Sequence, residues 1–458
     1  MHRQNPALYQ VKIINELDVT EMRDLRLSFS VLRNAIAPVS ACMETAKAAM
    51  PARNRAAKPV CHSAEPIDFQ VKRSIADHLN IPVVEATSEH AERTAFQNKG
   101  QKLARQEDWE TLSQLIFDAD QTRAKTRGGM PVADLLMYGA RADVVLAAEH
   151  ALFDGKPASG APILDGIEAL EQVLDEHPDN YPVALIVAHA HLDMGWAWRG
   201  TGWLTELKPQ NREAFAAHFD RATGILNQFS GLEPLSPALA AARCALLAGY
   251  PNSRTRVADD YEALIDLDPK NPHHMRAMGN HLLPRWFGSL AQLELEARRT
   301  ASRTIDIWGA GAYTWSYFDA VVIDDAACAQ VEVEFFIEGL HDILAHAPDQ
   351  HTVNLLAAYC AVAVRAGCGS ADEADLVRHQ LIDCADWIIR DHMTEIHPLV
   401  WAHATTGFDN SARVRSMRNF AEHGRRNALD VIATLFRDDI ARGHQVTFTP
   451  SGPMVSAA

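Results

Sequence analysis

The sequence predicts an all-α protein in which antiparallel helix pairs stack over residues 96–440. Three observations lead there. Through most of the later chain, apolar residues recur every three or four positions, which is the period of one helix face. Proline-bearing junctions separate these amphipathic stretches, and a proline cannot continue a helix without losing a backbone hydrogen bond. The chain has 458 residues, beyond the roughly 250–300 that a single core serves, so it must divide into domains or grow by stacking.

Composition narrows the class further. With 47% hydrophobic and 22% charged residues, the chain resembles an ordinary globular protein, neither disordered nor collagen-like. The formal charge of −16 repels nucleic-acid phosphates and anionic membranes at long range, so neither is an expected partner. No run approaches the ~18 consecutive apolar residues of a membrane-spanning helix, and the first residues lack a secretory apolar segment, so a cytoplasmic protein without membrane insertion is expected. The seven cysteines are scattered without a Cys-x-x-Cys pair, as expected of reduced packing residues.

Taken in order, residues 1–95 form a less regular N-terminal region. Residues 1–100 carry 13 Lys plus Arg against 11 Asp plus Glu, so the acidity belongs to the later chain. Short helices are expected near 18–36 and 68–80. Between them, residues 38–66 are rich in Ala, Pro, Lys and Arg and read as a linker, having few large apolar side chains to offset ordering entropy. Helical faces then follow at Ile163, Ile167, Leu170 and Leu174, and at Phe215, Phe219, Ala222, Leu226 and Phe229. Two more lie at Val353, Ala357, Cys360 and Val364, and at Val377, Leu381, Cys384 and Ile388. Ser236-Pro237 marks a helix start, and Ser370-Ala371-Asp372-Glu373 has the form of a capping box. Breaks fall at His177-Pro178-Asp179-Asn180, Asp268-Pro269-Lys270-Asn271 and Ala347-Pro348-Asp349-Gln350. Residues 441–458 are expected to be a C-terminal tail.

Tyr261-Glu262-Ala263-Leu264-Ile265-Asp266-Leu267-Asp268-Pro269-Lys270-Asn271-Pro272 resembles the second helix and closing loop of a tetratricopeptide-type repeat, and Leu170 to Asn180 resembles it more loosely. Pro178, Pro269 and Pro348 lie 91 and 79 residues apart, which departs from that family's 34-residue period. The resemblance therefore carries over an architecture, a TPR-like α-solenoid, and implies a protein or peptide bound on a concave helical face.

Four groups invite a chemical reading. His189-Ala190-His191-Leu192-Asp193-Met194-Gly195-Trp196 resembles the His-x-His-x-Asp-x-x-Trp signature of zinc-dependent α-mannosidases, a resemblance that implies zinc ligation by His189 and Asp193 and a metal-dependent hydrolase. On a strand His189, His191 and Asp193 would share one face, whereas on a helix the two histidines lie about 200° apart. The apolar stripe Val183, Ile186, Val187, Ala190, Met194 and Ala197 favours the helix, with a polar and aromatic surface and no metal. Trp196, Trp198, Arg199 and Trp203 form one aromatic and basic group. His281, Arg285 and Trp286, with His274 upstream, form another; they are polar flanks of a packed helix or the lining of a groove. The arginines at 413, 415, 418, 425 and 426 read as a solvated helix face.

No Gly-x-Ser-x-Gly, phosphate-binding loop, His-Glu-x-x-His or dinucleotide fingerprint is present, and no cofactor is expected. The function expected is a protein–protein interaction scaffold rather than an enzyme. Its anchors would be Trp196, Trp198, Arg199, Trp203, His281, Arg285 and Trp286, and its arginines would meet a carboxylate-bearing segment of a protein partner.

Overall fold

The structure is a computed structural model that describes residues 78–152, 163–200, 208–250, 252–406 and 416–457. The linker at 38–66, the helix expected at 18–36, most of that at 68–80, and Trp203, Arg413 and Arg415 lie outside the described residues. Among the described residues there are 20 α-helices and three short strands, and no helix is long and apolar enough to cross a membrane.

The described chain divides into two units. Residues 86–342 make the first, beginning with α1 (Ser88–Arg105), α2 (Trp109–Gln121), α3 (Val132–Leu152), α4 (Asp165–Glu176), α5 (Tyr181–Arg199) and α6 (Pro209–Asn227). It continues with α7 (Pro237–Leu246), α8 (Ser253–Leu267), α9 (Pro272–His281), α10 (Leu290–Arg303) and the short α11 (Ile305–Trp308). Next come α12 (Gly311–Tyr317), α13 (Ala320–Ile323), α14 (Asp325–Gln330) and α15 (Val333–His346), which carries the chain into the second unit. Helices pack mainly against near neighbours in sequence: α1 on α3, α5 on α6, α7 on α8, and α9 on α12.

Local chemistry explains why the helices start where they do. At each predicted break the residue before the new helix accepts a backbone amide: Asn180 from Val183 (3.1 Å), Asn271 from His273 (3.2 Å) and Asp349 from Thr352 (3.1 Å). Ser236 caps α7 through Leu239 N–H at 3.1 Å, with Pro237 in its first turn. The capping box expected at Ser370 does not form. Its hydroxyl donates to Gly367 O and accepts from Arg378 Nη1, and the helix begins at Asp372 behind Ala371, which makes no side-chain cap.

The center of the first unit is α5. Sixteen of its 19 residues are buried, because α3, α4, α6 and α7 all pack on it. A helix enclosed on every side has no solvent face, so its aromatic and polar residues enter the core with its aliphatic ones.

The second unit contains α16 (Gln350–Ala358), α17 (Asp372–His392), α18 (Pro398–Thr406), α19 (Met417–Leu435) and α20 (Arg437–Ala441). The apolar stripe from Val353 to Val364 is buried as expected, but a π-helical turn at Tyr359–Ala363 interrupts the α-helix. The expected C-terminal tail is a small sheet. Strand β1 (Leu79–Asn80) pairs in parallel with β2 (His444–Thr449), and β2 pairs antiparallel with β3 (Gly452–Ala457), Val446 opposite Val455. Val446 and Phe448 point inward, two residues apart, and Gly452 takes a φ of +99° at the turn.

Candidate functional site: an arginine–tryptophan face

The two aromatic and basic groups named from the sequence meet in space. Trp196, one turn before the end of α5, and Trp286, in the segment after α9, stand edge to face with ring centroids 6.0 Å apart. Phe215 and Phe219 of α6 complete the cluster around Trp196 at 5.1 and 5.8 Å, geometries that aromatic quadrupoles favor.

Arg199 sits at the junction. Its guanidinium lies 5.4 Å from the Trp196 ring centroid and 5.9 Å from that of Trp286, and Arg285 lies 5.8 Å from Trp286 on its own account. Arg199 donates to Gly200 O at 2.9 Å. Gly200, with a φ of +66°, ends α5. Among the described residues no carboxylate lies within ion-pairing distance of Arg199. Burial, and then the charge of Arg285 beside it, lower its pKa. A second cation and desolvation on one guanidinium produce a site that an anion would relieve.

The other named residues divide by depth. Trp196 and Trp198 are core residues, 4% and 6% exposed, and Asn211 Nδ2 donates to Trp198 O at 2.7 Å. His281 is buried beneath Trp286 and Phe287 and pairs with Tyr261, Oη to Nδ1 at 2.9 Å. Burial pulls its pKa down to about 4, so the imidazole that shares this hydrogen bond with the tyrosine hydroxyl is neutral. His274, expected at a polar flank, is also buried, bonded to Asn271. Solvent therefore reaches this face at Arg199, Arg285 and Trp286. Tyr261, Phe215 and Phe287 support it, and their roles depend on how helices pack, which periodicity alone does not specify.

The 189–196 string lies on a helix, and its polar groups separate. Asp193 pairs with Arg141 of α3 at 2.6 Å. His191, expected at a surface, is buried: Nε2 meets Glu171 at 2.7 Å and Nδ1 meets His218 Nδ1 at 2.9 Å. Arg221 also binds the Glu171 carboxylate. Burial pulls the Glu171 pKa up, but the hydrogen bonds and charges of Arg221 and His191 outweigh it and hold the group at about 2. Burial lowers the His218 pKa, and the charge of His191 adds to this. The hydrogen bond between the two Nδ1 atoms has one nitrogen donating and the other accepting. Among the described residues, no three His, Cys, Asp or Glu side chains are grouped as metal ligands would be.

Of the basic stretch near the C terminus, Arg418, Arg425 and Arg426 lie on α19, where Arg425 and Arg426 both approach Glu422, at 3.8 and 3.9 Å. No known protein family, curated protein or solved structure matches the chain.

Proposed function

We propose that the protein is an interaction scaffold whose 86–342 unit binds a carboxylate-bearing segment of a protein partner at Arg199, Arg285 and Trp286. One observation carries the reading: a half-buried arginine lies against two tryptophans, beside a second arginine, with no carboxylate of the described chain paired to it. A planar guanidinium fork suits an incoming Asp or Glu side chain, and a rigid indole supplies contact area at low entropic cost. Trp196, Phe215 and His281 serve as the floor that fixes those three residues in place. The overall negative charge supports selectivity, since this basic spot stands on an acidic protein and acidic segments would be repelled elsewhere.

Selection from a displayed peptide library tests the proposal. The wild-type chain is expected to enrich sequences with an acidic residue next to an apolar one, and the Arg199→Gln/Arg285→Gln chain to lose that enrichment. Enrichment of basic or uncharged sequences, or identical enrichment by both chains, contradicts it.

A further inference from the structure

A separate feature of the 86–342 unit lies where α2 ends. A small cleft, open to solvent on one side, is bounded by the α2–α3 turn, the first turn of α7 and the α8–α9 junction. Its floor is small and apolar, with Ala119, Ala133, Ala238 and Pro131. Its charged lining is Arg123, Lys125, Asp120, Asp134 and Asp268, with His274 beside them.

Asp120 and Asp268 are held by named partners. Asp120 accepts from Tyr181 Oη (3.0 Å), Ser236 Oγ (2.5 Å) and Ala238 N (2.9 Å). Asp268 holds Lys125 Nζ at 2.6 Å and lies 3.7 Å from His274 Nε2.

Arg123 is different. It donates to two carbonyls, Gln121 O through Nη1 at 2.6 Å and Leu267 O through Nε at a long 3.5 Å. Among the described residues no carboxylate is within ion-pairing distance of it. A guanidinium has five N–H donors, so most of this one's capacity is unspent. Its backbone is unusual as well. At φ +52° it occupies the left-handed position just after a helix end, where glycine is the favored residue. A disfavored backbone conformation therefore holds a cation, clamped by carbonyls from two elements, at the wall of a cleft.

We infer that this cleft binds a small monocarboxylate with a short apolar body. The carboxylate sits on the Arg123 fork, whose planar donors match two coplanar oxygens, and the body lies on the alanines and Pro131. The attraction comes locally from Arg123, since Asp268 already holds Lys125; the carboxylates of the same wall, Asp120, Asp134 and Asp268, disfavor a dianion such as phosphate more than a monoanion. A narrow floor of small residues limits the body to a few carbons. The site shares no residue with the arginine–tryptophan face, so either can fail without the other.

Saturation-transfer NMR on the full chain tests this, with sodium propanoate and butanoate as probes and inorganic phosphate as competitor. The expected result is saturable transfer, strongest at the ligand methyl group, with affinity about tenfold weaker in Arg123→Gly, as loss of a charge-assisted pair requires. Glycine suits the left-handed backbone, so this variant should fold, and its melting temperature verifies that. Should it fail to fold, Arg123→Lys decides: it keeps the charge, removes the fork, and should bind several-fold more weakly. No saturable transfer, unchanged affinity in the variant that folds, or phosphate displacing propanoate better than butanoate does would overturn the inference.

Discussion

At the scale of single residues, the second unit depends on Asn354. This fully buried amide donates to Gln350 O and Glu395 O (2.8 and 2.9 Å) and accepts from His397 N and Trp401 Nε1, both at 2.9 Å. Asn354→Ala leaves two buried N–H groups without their acceptor, and urea unfolding should show a loss of about 3 kcal/mol. A midpoint within error of wild type would mean that water or rearrangement satisfies those groups. The buried histidines give a pH dependence of definite sign. His218 and His281 are held neutral in the fold, with pKa values below the ordinary 6.5, so the unfolded chain binds more protons as pH falls below about 6.5. Their contribution is complete above that pH and drains toward the folded values, the lower limit for His281 being about 4. Each should cost about 2 kcal/mol at pH 5. Urea midpoints measured at pH 7.5 and 5.0 should fall accordingly, and a midpoint unchanged or higher at pH 5.0 would contradict this. None of these partners was legible in the sequence. His191 and His218 lie 27 positions apart, and Asn354 and Trp401 lie 47 apart, with no local pattern linking them.

At the scale of elements, the pairing of α1 and α3 rests on two reciprocal glycines. A Cβ on Gly139 would fall 1.9 Å from Gln97 O, and one on Gly100 would fall 2.1 Å from Leu136 O. Backbone cannot yield as a flexible side chain does, so Gly139→Ala must push the helices apart, at about 2 kcal/mol or more. Thermal unfolding checks it, and a melting temperature equal to wild type would show that the pair separates at little cost. The proline breaks were legible because each couples a residue that cannot continue a helix to an Asn or Asp that can start one. The capping box at Ser370 misled because the buried Arg378 guanidinium, distant by eight positions, engages that hydroxyl. The C-terminal sheet carried a signal of its own: His444 to Thr449 alternates inward Val446 and Phe448 with polar neighbors, a period of two. That period is weak over six residues, and a two-residue β1 gave no warning of a partner more than 360 positions away.

At the scale of the molecule, both tryptophan–arginine groups were visible in the sequence, but their direct contact was not. Trp196 and Trp286 are 90 positions apart, and α5 had to be buried for its last turn to meet the segment after α9. Enclosure of α5 also explains why Trp196 and Trp198 lie in the core while Arg199, at the helix end, reaches solvent. An acidic chain that presents, at one aromatic face, a half-buried Arg199 beside an exposed Arg285 supports the proposed reading. The decisive measurement is a fluorescence anisotropy titration. A labeled acidic peptide from the library selection is titrated with the wild-type chain and with Arg199→Gln/Arg285→Gln, while circular dichroism reports the helical fold of both. The double variant should retain the helical spectrum and bind about 100-fold more weakly, as expected for two charge-assisted contacts. Equal affinity for the two chains, or equal affinity for the peptide with its Glu replaced by Gln, would contradict a carboxylate-binding face at Arg199 and Arg285.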